Sequence, residues 1–290
     1  MYKLRDWIDI NKLNWSFLSK NYNAIYLLEQ NLHKIDWDYL SGNSSAMSIL
    51  EKNIYKINWY ILSINPEAIL LLEKFPDKID WEGLSENPSA ISLLEKNPDK
   101  IYWDLISRNS NAIFLLEKNL DKINWEFLSG NANAIPILKK NLDKINWDWL
   151  SFNSNAIPIL EKNLDKINWI YLSINPNAIN ILEKNLDKID WNNLSLNPSA
   201  MDLLEKNQDK INYNFFSQNP NAISLLEKNV EYINWDGLSF NPSIFELDYF
   251  ALKERCSVYK EELIQIALHP SRIQKYLEQG IDFEELDNYI

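Results

Sequence analysis

Trp147 to Asn168 reads W-D-W-L-S-F-N-S-N-A-I-P-I-L-E-K-N-L-D-K-I-N, and the same 22-residue frame recurs on both sides of it without insertion or deletion. Its leading tryptophan returns at Trp15, Trp37, Trp59, Trp81, Trp103, Trp125, Trp169 and Trp191; Tyr213 takes the slot once, and Trp235 opens a last copy. A fixed period of this length signifies stacked units, each too small to bury its own apolar face. With the Trp slot as position 1, ten full copies run from Trp15 to Asn234 and an eleventh begins at Trp235.

Inside the unit, position 22 is Asn or Asp before every leading aromatic except where Tyr102 stands. Such a residue caps the next helix by accepting from a free amide of its first turn. Acids often follow at position 2, where the helix dipole favours them. A short first helix, W-D-x-L-S, results. Position 7 is Asn in all eleven copies, and proline follows it in six of them. Asn then Pro is the cap and first residue of a second helix, P-N-A-I-x-L-L-E-K, apolar at positions 10, 11, 13 and 14. Asn at position 17 is expected to end that helix in the left-handed conformation. Pro136 and Pro158, at position 12, require a later start there, capped by Asn133 and Asn155. The preference for Asn at position 7 over Ser or Asp points to an amide that both donates and accepts, bridging successive units.

A leucine-rich repeat has a similar period and its own asparagine ladder, but it needs a buried apolar residue at position 2, where this chain often carries Asp or Glu. The expected fold is therefore an all-α solenoid of about eleven two-helix repeats, with the tryptophans as buried anchors. At about 8–10 Å per layer, these would form an arc on the order of 100 Å. Residues 1–14 read as an N-terminal cap, since Asn11-Lys12-Leu13-Asn14 matches the end of the repeat while the preceding helix is missing. Residues 15–244 form the repeats, and 245–290 a C-terminal helical cap. In that cap Glu261–Leu268 has helical spacing, His269-Pro270 starts another helix, and Gly280 occupies the place of a terminating glycine.

Composition narrows the function. The net charge of −12 over 290 residues repels phosphate, and no basic stripe offsets it, so no nucleic-acid partner is expected. No apolar run reaches membrane-spanning length, and the start lacks a signal-peptide pattern, so the expected location is cytoplasmic and no membrane partner is foreseen. The single cysteine, Cys256, reads as a small buried or half-buried cap residue, and with His33 and His269 it makes no zinc set. Only five glycines occur, and no phosphate-loop pattern exists. The carboxylates at positions 15 and 19 alternate with lysines at 16 and 20 in nearly equivalent surroundings. Acid–base catalysis needs unlike surroundings instead. No catalytic residue, cofactor or metal is expected, and the chain reads as non-enzymatic.

The unit N-P-N-A-I-x-L-L-E-K-N-L-D-K-I-N-W, the ending A-L-H-P-S-R-I-Q-K-Y-L and the start D-W-I-D-I-N-K-L-N-W resemble tandem-repeat proteins encoded by giant, mimivirus-like DNA viruses. The resemblance covers almost the whole chain, and the abundance of Asn, Ile, Lys and Tyr suits an AT-rich genome. It implies a repeat fold, no established activity, and a place in the host-cell cytoplasm or the virion.

Positions 3, 6 and 12 vary while their neighbours do not, as slots facing solvent or a partner would. The apolar runs are longest in the middle copies: Phe127, Trp149 and Tyr171 at position 3, and Phe152, Ile174 and Leu196 at position 6. A solenoid sets equivalent positions in rows, and a helix brings positions three apart side by side. These six residues are the expected docking patch for a protein partner of unknown identity, or for a second copy of the chain in a viral particle or factory. The competing reading is that position 3 packs between units.

Overall fold

The computed structural model describes residues 2–257 and 259–279. The chain divides into two compact bodies, Leu4–Phe245 and a smaller one made of Met1–Lys3 with Glu246–Ile290.

Leu4–Phe245 is an all-α solenoid of 22-residue units. Unit seven shows the plan: a first helix Trp147–Phe152, a second helix Ile157–Leu160, and a closing 3-10 turn Leu164–Lys166. Asn146 caps the first helix by accepting from the Trp149 amide, and Asn153, in extended conformation, ends it. The second helix departs from expectation at both ends. Position 7 caps not an α-helix but a turn or 3-10 turn over positions 8–10, as where Asn131 accepts from the Asn133 amide. The α-helix proper starts at position 11, behind an alanine with no side-chain cap. Pro136 and Pro158 consequently fall in first turns, where a missing donor costs nothing. Asn133 and Asn155 are not the caps; their amides donate instead to the Ser110 and Ala132 carbonyls of the preceding unit. At the far end, Asn at position 17 is not left-handed. Asn53 has φ −130° and ψ 43°, and its Nδ2 donates to the Ile49 carbonyl four residues back at 2.9 Å. The side chain thus satisfies a terminal acceptor that a left-handed backbone would otherwise serve.

The core lies between the two helix layers. Leu150, Ala156 and Leu160, at positions 4, 10 and 14, have no exposed surface, and their equivalents repeat this around the body. The tryptophans flank this core, half-buried, instead of filling it. In eight units lysine at position 20 covers the open face of the ring: Lys166 Nζ stands 4.7 Å from the Trp147 ring centroid, and Lys144 stands 4.6 Å from Trp125. These lysines are therefore not merely a solvated face; they form cation–π lids. Unit ten changes both partners together, with Tyr232 against Tyr213 at 5.0 Å between centroids.

The stack closes on itself. Neighbouring first helices pack directly on one another, whereas second helices approach less closely. A stack tighter on one side bends toward that side. After eleven units the first helix of unit eleven, Trp235–Phe240, meets that of unit one, Trp15–Lys20. Asn21 Nδ2 donates to the carbonyls of Ser239 and Asn241 at 3.1 and 3.0 Å. Residues 10–14 supply what unit eleven lacks: Lys12 lies over Trp235 at 4.8 Å, and Asn14 donates from its backbone to Ser239 Oγ at 2.9 Å and from Nδ2 to Asp236 at 3.0 Å. The expected separate cap at residues 1–14 is corrected accordingly. Leu4–Asn14 belongs to the repeat body, and the open arc becomes a ring of eleven. At the usual 8–10 Å between packed helices, the first helices trace a circle roughly 28–35 Å across.

In the smaller body, helices span Tyr249–Ser257, Lys260–Ala267 and Pro270–Glu278. His269 caps the last of these, its Nδ1 accepting from the Ser271 amide. Cys256 is exposed, not buried as expected, because the helix carrying it has no buried residue. The expected glycine terminator, Gly280, lies outside the described residues. Tyr2–Leu4 and Phe245–Leu247 pair as a two-stranded sheet. Among the described residues no helix is long and apolar enough to cross a membrane.

Candidate functional site: an aromatic groove on the first helices

Two invariant polar columns hold the first helices in register. Ser151 Oγ donates to the Trp147 carbonyl at 2.7 Å and accepts from the Asn168 amide at 3.0 Å. Asn153 Nδ2 donates to the carbonyls of Ser129 and Asn131 in the preceding unit at 3.0 and 2.9 Å, while its Oδ1 accepts from the Asn155 amide. Both residues are buried in every unit. An amide is needed there because a carboxylate would face two carbonyls with no proton to give. The bridging role expected of position 7 is what the geometry shows. The serine column ties each first helix to the residue that caps the next, and its only sequence signal is its invariance at position 5.

With positions 4 and 5 turned to the core, positions 2, 3 and 6 occupy the side of each first helix away from the second helices. That is the concave side of the ring. Position-3 side chains lean back on the preceding unit: Trp149 Nε1 donates to Glu126 at 3.1 Å, and Asn193 Nδ2 to the Ile170 carbonyl at 3.2 Å. The Phe127 and Trp149 rings meet edge to face at 6.3 Å, and Trp149 and Tyr171 lie nearly parallel at 6.5 Å. Trp149, Phe152, Tyr171, Ile174 and Asn193 line a shallow groove of about 200 Å³. A second hollow of about 360 Å³ runs beside it over Gly130, Phe152, Ile174 and Pro176.

Five of the six expected residues are thus brought together, four in the groove and Phe127 at its edge. Leu196 is half-buried and lines neither hollow. Both readings of position 3 apply, residue by residue. Trp149 is half-buried against its neighbours, whereas Tyr171 and Phe152 keep 44% and 46% of their surface exposed. Asn193 was missed; it closes one end of the groove as a polar member of an otherwise apolar column.

In units one, four and eleven the same slots are filled or shut, while Tyr39 in unit two stays 38% exposed. Phe17 stacks on Phe240 at 4.2 Å. Gly83 sits so close to the preceding unit that an added Cβ would stand 2.7 Å from the Tyr60 carbonyl. Nearby, burial, and then the carboxylates of Glu82, Glu86 and Asp80, push the Tyr60 hydroxyl above the usual tyrosine range. Among the described residues no group of three or more His, Cys, Asp or Glu is placed to hold a metal ion. No family model, curated protein or solved structure matches the chain.

Proposed function

We propose that the ring is a non-enzymatic scaffold that docks another protein in the groove of units six to nine. One observation supports this above the rest: Trp149, Phe152 and Tyr171, large rings with exposed surface, converge on a backbone that the Asn and Ser columns hold rigid. Aromatic clusters bordered by polar groups are where binding energy concentrates in protein interfaces, and a pre-ordered surface loses little entropy on binding. The same reading places the protein in a cytoplasm, that of an infected host if the viral resemblance holds, or in a virion.

The test is recovery of partners from cells by the intact protein, by Phe152→Ser with Tyr171→Ser, and by the single change Phe152→Ser. Light scattering and melting are measured on each. Partner recovery lost at unchanged melting temperature supports docking. Recovery that survives the double change contradicts it. Concentration-dependent mass, abolished by the same changes, would instead make a second copy of the chain the partner.

A further inference from the structure

We infer that the groove seats a cationic, extended or helical segment of its partner, presenting arginine or lysine to the rings of Trp149, Phe152 and Tyr171. This rests on the docking reading above and adds the chemistry of what docks.

The first ground is where the net charge lies. Positions 15, 16, 19 and 20 carry acids and lysines in near balance. Position 2, on the groove face, holds Asp38, Glu82, Asp104, Glu126, Asp148 and Asp236 and no basic residue in any unit. With Lys20, Glu86 and Arg108 at position 6, the first-helix face sums to −5 of the −12, and the Tyr60 hydroxyl, raised first by burial, is raised further by its carboxylates. An acidic concave wall attracts cations and raises their rate of encounter.

The second ground is that the chain already seats one guanidinium on this strip. Arg108 lies 4.3 Å from the Phe127 ring centroid and 5.5 Å from that of Trp149, and is held by Glu86 at 3.4 Å. One step further along, Tyr171, parallel to Trp149, and Phe152 offer exposed ring surface, with Glu126 bonded to the Trp149 indole and Asp148 next to it in the chain. Residues 147–155, 169–177 and 191–199 contain no lysine or arginine to fill that step from within. A cation over aromatic faces beside carboxylates gains from both.

The third ground is size. A ring of first helices roughly 28–35 Å across, less the width of the helices themselves, leaves an opening of roughly 16–25 Å. That admits a strand or a single helix. A folded domain of ordinary size is excluded from the concave wall.

The experiment uses full-length protein and short labelled peptides in which arginine and lysine alternate with small residues, with otherwise identical glutamine and glutamate versions, read by fluorescence anisotropy. The basic peptide should bind, the glutamine version at least about tenfold more weakly, and the glutamate version not at all. Phe152→Ser with Tyr171→Ser should abolish binding of the basic peptide. Glu126→Gln with Asp148→Asn keeps the acceptors that Trp149 and Asn168 use, yet should weaken it roughly five- to tenfold, more at low salt than at high. Equal binding of basic and glutamine peptides, or indifference to the charge-removing pair, overturns the cationic segment. Docking itself stands in that case if the serine pair still abolishes partner recovery. If neither the peptides nor the cellular partners respond to the serine pair, both readings fall.

Discussion

The junction between units six and seven and the junction between units eleven and one are built from the same contacts, but chain continuity runs through only the first. At the interior junction Asn153 Nδ2 reaches the Ser129 and Asn131 carbonyls; at the seam Asn21 Nδ2 reaches those of Ser239 and Asn241. Within unit seven and at its boundary with unit eight, Lys166 over Trp147 has its counterpart in Lys12 over Trp235, and Asn168 on Asp148 in Asn14 on Asp236. The seam therefore needs no special adhesive. A unit assembled from two distant stretches of chain satisfies the same local rules as a continuous one. Closure also spares the repeat body the exposed terminal faces that an open solenoid has to cap.

Four paired substitutions separate what the two junctions share from what they do not. The largest effect belongs to the core. Leu150→Ala and its seam-side equivalent Leu238→Ala, both wholly buried, should each cost about 2–5 kcal/mol in denaturant unfolding. Their consequences should differ. Hydrogen exchange should speed up at residues 10–14 and 235–244 in the seam variant. The interior variant keeps both flanks tethered through the chain and should stay protected there.

Next comes the asparagine column. Asn153→Asp and Asn21→Asp keep the helix-capping acceptor but lose two donated bonds and set a charge against two carbonyls, a loss of about 2–4 kcal/mol at either junction. Equal stability of Asn and Asp would reduce position 7 to a cap. Ser151→Ala and Ser239→Ala should cost about 1–3 kcal/mol, chiefly by orphaning the amides of Asn168 and Asn14. The smallest effect is that of the lysine lids. Lys166→Gln and Lys12→Gln should cost about 0.5–1 kcal/mol, measured as paired shifts in denaturation midpoint. A seam lysine without effect beside an effective interior one would mean that the chain start is loosely held.

Much of this was legible in the residues. The period, the all-α class, the caps at position 22 and the bridging Asn all follow from one unit read closely. Some side-chain pairings are legible in the sequence too. Asn stands at position 22 wherever position 2 is Asp or Asn, as in Asn58 with Asp38 and Asn212 with Asn192. Asp takes over in the units where position 2 is Ser16, Tyr60 or Ile170. Asn14 obeys that rule with Asp236, so the seam left a trace in the sequence. Closure itself had no such trace in the period, because it depends on how much closer first helices pack than second ones. That difference arises only when the units are stacked, at about 33° of turn for each. The candidate site was legible as two columns of variable residues. Which members share a groove was not, because position-3 side chains lean across the unit boundary, bringing Asn193 in and leaving Leu196 out.

Closure is tested most directly by one distance. Spin labels at Glu29→Cys and Glu227→Cys, in a Cys256→Ser background, sit on exposed second-helix ends of units one and ten. A closed ring separates them by two steps, and double electron–electron resonance should give a narrow distribution at about 20–35 Å. An open solenoid separates them by nine steps. A broad distribution at roughly 70 Å or beyond, or no resolvable coupling, would contradict the ring.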